Sequence, residues 1–413
     1  MVDLAAHVRP GDGIWWSQTS AEPTPLVHVL LDSVAEIGPV RAFCGLTWDK
    51  RLTTELPEQI ALSSYGGLGE LRKLAKRGRV DVVPCHYSAL PRMFAEGRLP
   101  NDVGFVQVSP PDAEGLCSLG VGVDYVADAI EHTPVLIGEI NQRMPRTYGA
   151  PRVPMERFAA VVETDRPLPE APDRTADDVE RAIARNVASL VEDRDTIQLG
   201  VGSLPSAVLD CLTEHNDLGV HSGMVSDGIA RLVEKGVITG SYKEIDTGSV
   251  VTGAALGSNE LYTGLPGLPI EFRPASYTHS PAVLAKLSGL VSINSAIEVD
   301  LTGQVGSEMR KGTYIGAIGG QVDFSRAASL TGARSIITLR AASRSSSNIR
   351  PVLDGPVTTG RSDVDYVVTE HGIAELRGCD LTERARRLIA VAAPEHRAEL
   401  EKSLGDGKAG TNR

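Results

Sequence analysis

Residues Leu218–Gly228 read LGVHSGMVSDG. Gly219–Ser222 has the composition of a short strand, and Ser226–Gly228 that of a turn in which Asp227 is placed to cap the next helix. His221 and Ser222 are neighbours on that strand, so they point to opposite faces and read as structural strand-end residues. A little upstream, Gln198–Pro205 reads QLGVGSLP and runs from the strand Thr196–Leu199 into a helix. Gly200 and Gly202 let backbone amides come close to a ligand, and Pro205 suits a first helical turn, so amides there can face an anion or a carbonyl oxygen. Strand, turn and helix in succession decide the fold class.

The same alternation extends outward through both halves. Val80–Val83, Val103–Val108 and Pro134–Ile140 read as strands in the first half. Thr196–Leu199, Gly219–Ser222, Val291–Ile293, Ser335–Thr338 and Tyr366–Thr369 do so in the second. Short β-branched runs between helical patterns are the signature of parallel sheets with crossover helices. The compositional break is Glu163–Asp178, ETDRPLPEAPDRTADD, rich in proline and charge. It divides the chain into a domain at 1–165, a linker at 166–178, a second domain at 179–400 and a frayed tail at 401–413. A helix is expected from Thr175, with Thr175 as its cap, Asp177 and Asp178 in the first turn, and apolar residues at Val179, Ile183, Val187 and Leu190. A faint echo pairs Gly13-Ile14 and the following Ala21-Glu22-Pro23 with Thr196-Ile197 and Leu204-Pro205-Ser206. A second pairs GRVDVVPCHYSALPRMF with RSDVDYVVTEHGIAELRG. Duplication and generic α/β periodicity both account for these.

At 413 residues the chain is long enough for two or three domains, and 42% hydrophobic residues suffice for large cores. A net charge of −12 without a basic tract argues against nucleic acid, and any site for an anionic ligand must be locally positive. No apolar run approaches the roughly 18 residues of a membrane span, and MVDLAAHVRPGDG lacks both a basic lead and an apolar signal core. A cytoplasmic protein with no membrane partner is expected. Cys44, Cys85, Cys117, Cys211 and Cys379 are scattered, without a CxxC pair, which excludes a zinc ribbon and argues against a disulfide framework. No metal is expected. In the first glycine turn Pro205 stands where a third Rossmann glycine would be, and Gly219-Val220 where an acid would meet a ribose, which argues against NAD. A second cluster, Gly316–Phe324 (GAIGGQVDF), again marks close backbone approach, and Gln321 adds a side-chain amide.

These segments occur in order with others: VSPPDAEG at 108–115, SLG at 118–120, EINQRMPRT at 139–147, GVITG at 236–240 and YTH at 277–279. SINSAIEVDLTGQV at 292–305, RSDVD at 361–365 and TEHG at 369–372 complete the series. Along nearly its whole length the chain resembles the acetyl-CoA hydrolase/transferase family of the class I CoA-transferase superfamily, in particular its 4-hydroxybutyrate CoA-transferase-like members. The resemblance implies an α/β protein of two similar open, mostly parallel α/β domains. It also implies coenzyme A bound between them as substrate or product, acyl-CoA and a small carboxylic acid as partners, and a homo-oligomer, commonly a dimer. It assigns Gly200, Gly202 and Ser203 to holding CoA and the thioester oxygen. Asn294, Gly316, Gly319, Gly320 and Gln321 lie against CoA on the same grounds. Arg334, in a GARS run where relatives carry GGKS, would offer charge to CoA phosphates with different geometry.

The resemblance also places the family's nucleophilic glutamate, from HSEMVSDG, at Gly223. That glutamate attacks the thioester, forming an acyl-glutamyl anhydride and then a glutamyl-CoA thioester. The chemistry needs a carboxylate held about 3 Å from the carbonyl, and glycine has none. The expectation moves toward hydrolysis by activated water or specialised thioester chemistry, the alternative being a CoA-binding protein or silent subunit without turnover. Glu139, Glu298, Glu308 and Glu370 are candidates for a relocated carboxylate, each with a structural reading beside the functional one. Trp15-Trp16 is read as core packing, or as a wall narrowing an acyl pocket.

Overall fold

Strands β1 (Gly13–Trp16), β2 (Val40–Phe43), β3 (Ile60–Ser64), β4 (Asp81–Val82), β5 (Val103–Val108), β6 (Val135–Asn141) and β7 (Phe158–Thr164) form one sheet, in the order β4-β3-β2-β1-β5-β6-β7. The structure is a computed structural model that describes residues 2–171, 175–344 and 346–405. A second sheet contains β8 (Thr196–Leu199), β9 (Gly219–Val225), β10 (Val250–Ala255), β11 (Ile270–Phe272), β12 (Leu290–Ser295), β13 (Arg334–Thr338), β14 (Tyr366–Thr369) and β15 (Gly372–Glu375). Its order is β11-β10-β9-β8-β12-β13-β14-β15. Neighbours are parallel throughout, except β15, which returns antiparallel along β14. The helices that matter below are α1 (Thr24–Ile37), α2 (Asp124–Ile130), α3 (Asp178–Ala188), α4 (Ser203–Cys211), α5 (Asp227–Glu234), α6 (Gln321–Thr331), α7 (Leu381–Ala390) and α8 (Pro394–Gly405).

Apart from the extra edge strand β15, the two sheets are wound alike. β1 and β8 each begin mid-sheet, with the chain moving out to one edge and then back across to the other. The first sequence echo is therefore topological. The second is not: β4 is followed by helical turns, whereas β14 is followed by the hairpin strand β15. Because crossover helices cover both faces, central strands are apolar along their length, and every residue of β5 is buried.

Trp15 and Trp16 point to opposite faces of the first sheet. Trp15 packs edge-on against Phe94, with ring centroids 5.8 Å apart, and its indole donates to Thr133 Oγ1 at 2.9 Å. Trp16 lies in the other layer among Leu26, Leu30 and Val34 and donates to Glu22 Oε1 at 3.2 Å. Both are core residues, fully buried.

Local expectations shift in three places. The cap of α3 is Asp177, in a capping box with Glu180, and not Thr175. Ser226 occupies the cap position of α5, because the Asp227 carboxylate instead accepts from Ser258 N at 3.1 Å and Ser258 Oγ at 2.5 Å. Helix α8 runs through Gly405, into the stretch expected to fray, anchored by buried Leu400. Residues 406–413, like linker residues 172–174, lie outside the described residues. The described start of the linker is tied down: Arg166 binds the buried Glu139, Leu168 is buried, and Ala171 N donates to Gly257 O.

Candidate active site

The carboxyl ends of β8, β9 and β12 bring three parts of the expected site together. Leu199 pairs with Ile293, so Gly200 leaves β8 beside Asn294. Ser222 Oγ donates to Leu199 O at 2.9 Å, which sets Gly223 alongside the same turn. Gln198 Oε1 accepts from Ser292 Oγ and Asn294 Nδ2, both at 3.0 Å, and fixes the end of β12. Gly202 opens α4 at φ +129°, a conformation that favours glycine, and Ser203 Oγ donates to Glu180 at 2.9 Å. This is the point where the strand order reverses, the usual crevice of an open α/β sheet. Gly202 and Ser203 also border a cleft of about 820 Å³, lined by Arg181, Arg185 and Ser226 among others.

The second glycine loop bridges the two halves. Gly67 N donates to Gly316 O and Tyr87 N to Gly319 O, each at 2.9 Å, while Ser88 Oγ and N hold Asp323 at 2.6 and 3.1 Å. Gln321 donates to Thr359 Oγ1 at 3.0 Å. Loop residues of the first half are thereby fixed against the start of α6, and Gly320 faces back toward β9.

Between that loop and Gly223 stands His279. A Cβ on Gly223 would lie 3.0 Å from both Cε1 and Nε2 of its imidazole, and one on Gly320 would lie 2.5 Å from Nε2. The ring fits because both positions are glycine. Tyr87 packs over it with centroids 4.6 Å apart, and Phe324 meets it edge-on at 5.0 Å. The Thr278 hydroxyl lies 2.9 Å from His279 Nδ1 and 3.3 Å from Pro274 O; when it donates to Pro274 O it accepts from Nδ1, and Nε2 then carries a lone pair. Burial drives its pKa down to about 3, with His221 adding to the shift, so the ring is neutral. His221, itself lowered to about 4 by burial, bonds Thr278 O at 3.1 Å and fixes this turn to β9.

Behind Tyr87 lies a buried carboxylate with no cationic partner among the described residues. Asp124, at the start of α2, accepts from Gln18 Nε2 at 2.7 Å, and Gln18 also donates to Tyr87 Oη at 2.7 Å. Tyr65 Oη donates to Gln18 Oε1 at 2.9 Å. Burial raises Asp124 to about 6. Its Cβ lies 3.3 Å from where a Cβ on Gly253 would be, and Gly253 stands beside Gly223.

Other candidates are placed elsewhere. Arg334 opens β13 at the amino end of the strand and is engaged with Asp195 at 2.6 Å and Glu192 at 3.0 Å, away from the strand carboxyl ends where the site gathers. Glu139 pairs with Arg166 at 2.6 Å, and Glu298 accepts from Asp354 N at 2.8 Å. Glu308 binds Thr358 Oγ1 at 2.8 Å, and Glu370 takes Ala341 N at 2.9 Å. All four are committed to structure.

The acetyl-CoA hydrolase/transferase N-terminal domain matches residues 2–170, and its C-terminal domain matches residues 257–404. The chain belongs to the acetyl-CoA hydrolase/transferase family. A 4-hydroxybutyrate coenzyme A transferase of Clostridium kluyveri is 43% identical over 338 residues, which is 80% of this chain and 79% of that protein. A succinyl-CoA:cyclohexane-1-carboxylate CoA transferase of Geobacter metallireducens is 34% identical, across 97% of this chain and 93% of that one. The crystal structure of RipA from Yersinia pestis matches with a TM-score of 0.92 at 35% identity, covering 98% of this chain and 95% of RipA. Two open α/β domains of the class I CoA-transferase type, and an enzyme of the CoA-transferase and acyl-CoA hydrolase family, are thus established.

Within this acetyl-CoA hydrolase/transferase scaffold, sequence reasoning missed His279, Asp124, Gln18 and Tyr87. His279 stood in the YTH run, yet what marks it is the pair of glycines that clears space for its ring. Gln18, Tyr87 and Asp124 carry no motif and meet only through the fold.

Proposed function

We propose that this chain cleaves the thioester of short or modest acyl-CoA substrates by attack of water, without a glutamyl-enzyme intermediate. The observation that carries the reading is Gly223. The strand ends and glycine loops around it are built, but the position offers no nucleophile, and a neutral imidazole edges the space a side chain there would enter. The Gly200–Ser203 turn and the Gly316–Gln321 loop, with Asn294 between, are the surfaces proposed to hold CoA and polarise the carbonyl. Backbone donors aimed at a developing oxyanion contribute on the order of 10²–10³ in rate each, with or without a protein nucleophile. Cytoplasmic location and a homodimer complete the proposal. The homodimer rests on the family resemblance.

The test is to incubate the protein with acetyl-CoA, with and without a second carboxylic acid, and follow CoA release and acyl exchange. Release that does not depend on the acceptor, with no exchange product, is expected. Exchange at a rate comparable to release defeats the reading, as does tight CoA binding with neither activity.

A further inference from the structure

We infer that His279 Nε2 is the base that deprotonates the attacking water, an assignment that rests on the hydrolytic reading above. The ring is presented as such a base must be. Its Nδ1 lies 2.9 Å from Thr278 Oγ1, a partner that can accept the Nδ1 proton of the tautomer this role requires, and the structure gives Nε2 no hydrogen-bond partner among the described residues. Tyr87 and Phe324 fix the ring's tilt from two sides. Its Nε2 edge faces Gly223, which is half-buried at the crevice while His279 itself is only 4% exposed. An acyl group held over Gly223 would therefore have solvent on one side and a lone pair on the other.

The step balances without any co-reactant. Nε2 takes a proton from water as the water oxygen bonds to the thioester carbon, and the carbonyl electrons move to its oxygen. The tetrahedral species collapses, the C–S bond breaks, and the CoA sulfur takes the proton back from Nε2. The products are the free acid and the CoA thiol. Burial keeps the imidazole unprotonated beforehand but weakens it as a base, so the proton transfer depends on the oxyanion formed as water attacks, which supplies the counter-charge for the imidazolium. The remaining candidate is Asp124, whose carboxylate is turned toward Gln18 and Tyr87. It would act as a nucleophile through an anhydride, and that route leaves a different isotopic record.

The experiment uses the full chain and acetyl-CoA. His279→Ala is expected to lower kcat about 100-fold or more while KM and CoA affinity stay within about threefold, and added imidazole should restore part of the rate. Should that variant fail to fold, Gly320→Ala replaces it. Its Cβ would come within 2.5 Å of Nε2, so displacing the ring should cost about 100-fold in kcat at saturating acetyl-CoA, with CoA affinity read separately because Gly320 lies in the loop proposed to hold CoA. Independently, a single turnover of the unaltered protein in ¹⁸O-water should put one ¹⁸O into the acid from the first molecule formed. Unlabelled acid in that turnover indicates a protein carboxylate intermediate and overturns the assignment. So does an unchanged kcat in a folded His279→Ala, or a loss of rate matched by an equal loss of CoA affinity. If those variants hydrolyse normally, the base is misassigned and the hydrolytic reading stands. If the unaltered protein exchanges acyl groups and does not hydrolyse, both fall.

Discussion

The two sheets are wound in one order yet are finished differently where their middle strands end. After β1 the chain enters a fully buried turn, Ser17–Ala21, whose Gln18 ties Tyr65, Tyr87 and Asp124 into one hydrogen-bonded block. After β8 it enters Gly200–Ser203, half-exposed, where Cβ atoms on Gly200 and Gly202 would meet nothing within 4 Å. The same crevice is packed with side chains in one half and left open in the other. Topology supplies two equivalent positions, and side-chain volume decides which is filled and which is left open.

The strongest way to break this contrast is to refill the open half. Gly223→Glu alone would press on the His279 ring, so the pair Gly223→Glu with His279→Ala is the informative change. It should lose hydrolysis and gain acetate-dependent exchange, with a borohydride-reducible glutamyl thioester visible by mass spectrometry. If the folded double variant forms no adduct with acetyl-CoA, residue 223 is not the nucleophile's position.

The supporting half is tested next. Glu139 is wholly buried and paired with Arg166, which also donates to Glu22 O at 2.7 Å. Arg166→Met strands that carboxylate and should cost about 3–5 kcal/mol in denaturant unfolding, with specific activity per folded molecule preserved. A loss of activity at unchanged stability would mean that the first half does more than support.

The smallest effect is a slope. The unfolded chain protonates its histidines below pH 6.5, whereas folded His279 stays neutral down to about 3, so the unfolded state binds the extra proton in that window. Stability is fully present above pH 6.5 and falls as pH drops toward 3. Compared with His279→Asn, the unaltered protein should lose up to about 1.4 kcal/mol per pH unit across that range, measured by urea melts. Parallel curves would place the imidazole in contact with water.

Much of the fold was legible because it is written in local signals. The strand runs at Val103–Val108, Thr196–Leu199 and Tyr366–Thr369 coincide with β5, β8 and β14. The glycine turns fall at the crevice and at the bridge between halves. The capping errors are of a different kind: Thr175, Asp177 and Asp227 are all good cap residues, and the choice among them was settled by Glu180 and Ser258. The charge of Arg334 is visible in sequence, whereas its partners Asp195 and Glu192 lie on a distant stretch. The imidazole opposite Gly223 was invisible for the same reason. A glycine announces missing atoms but not which neighbour fills the gap.

The bridge between the halves has one more consequence. Gly67 and Tyr87 hold the 316–320 loop through amide-to-carbonyl bonds. Such a latch is indifferent to what side chains stand nearby. On the proposed reading, the residue at 223 can be exchanged, and with it the reaction, while the two halves go on meeting in the same place.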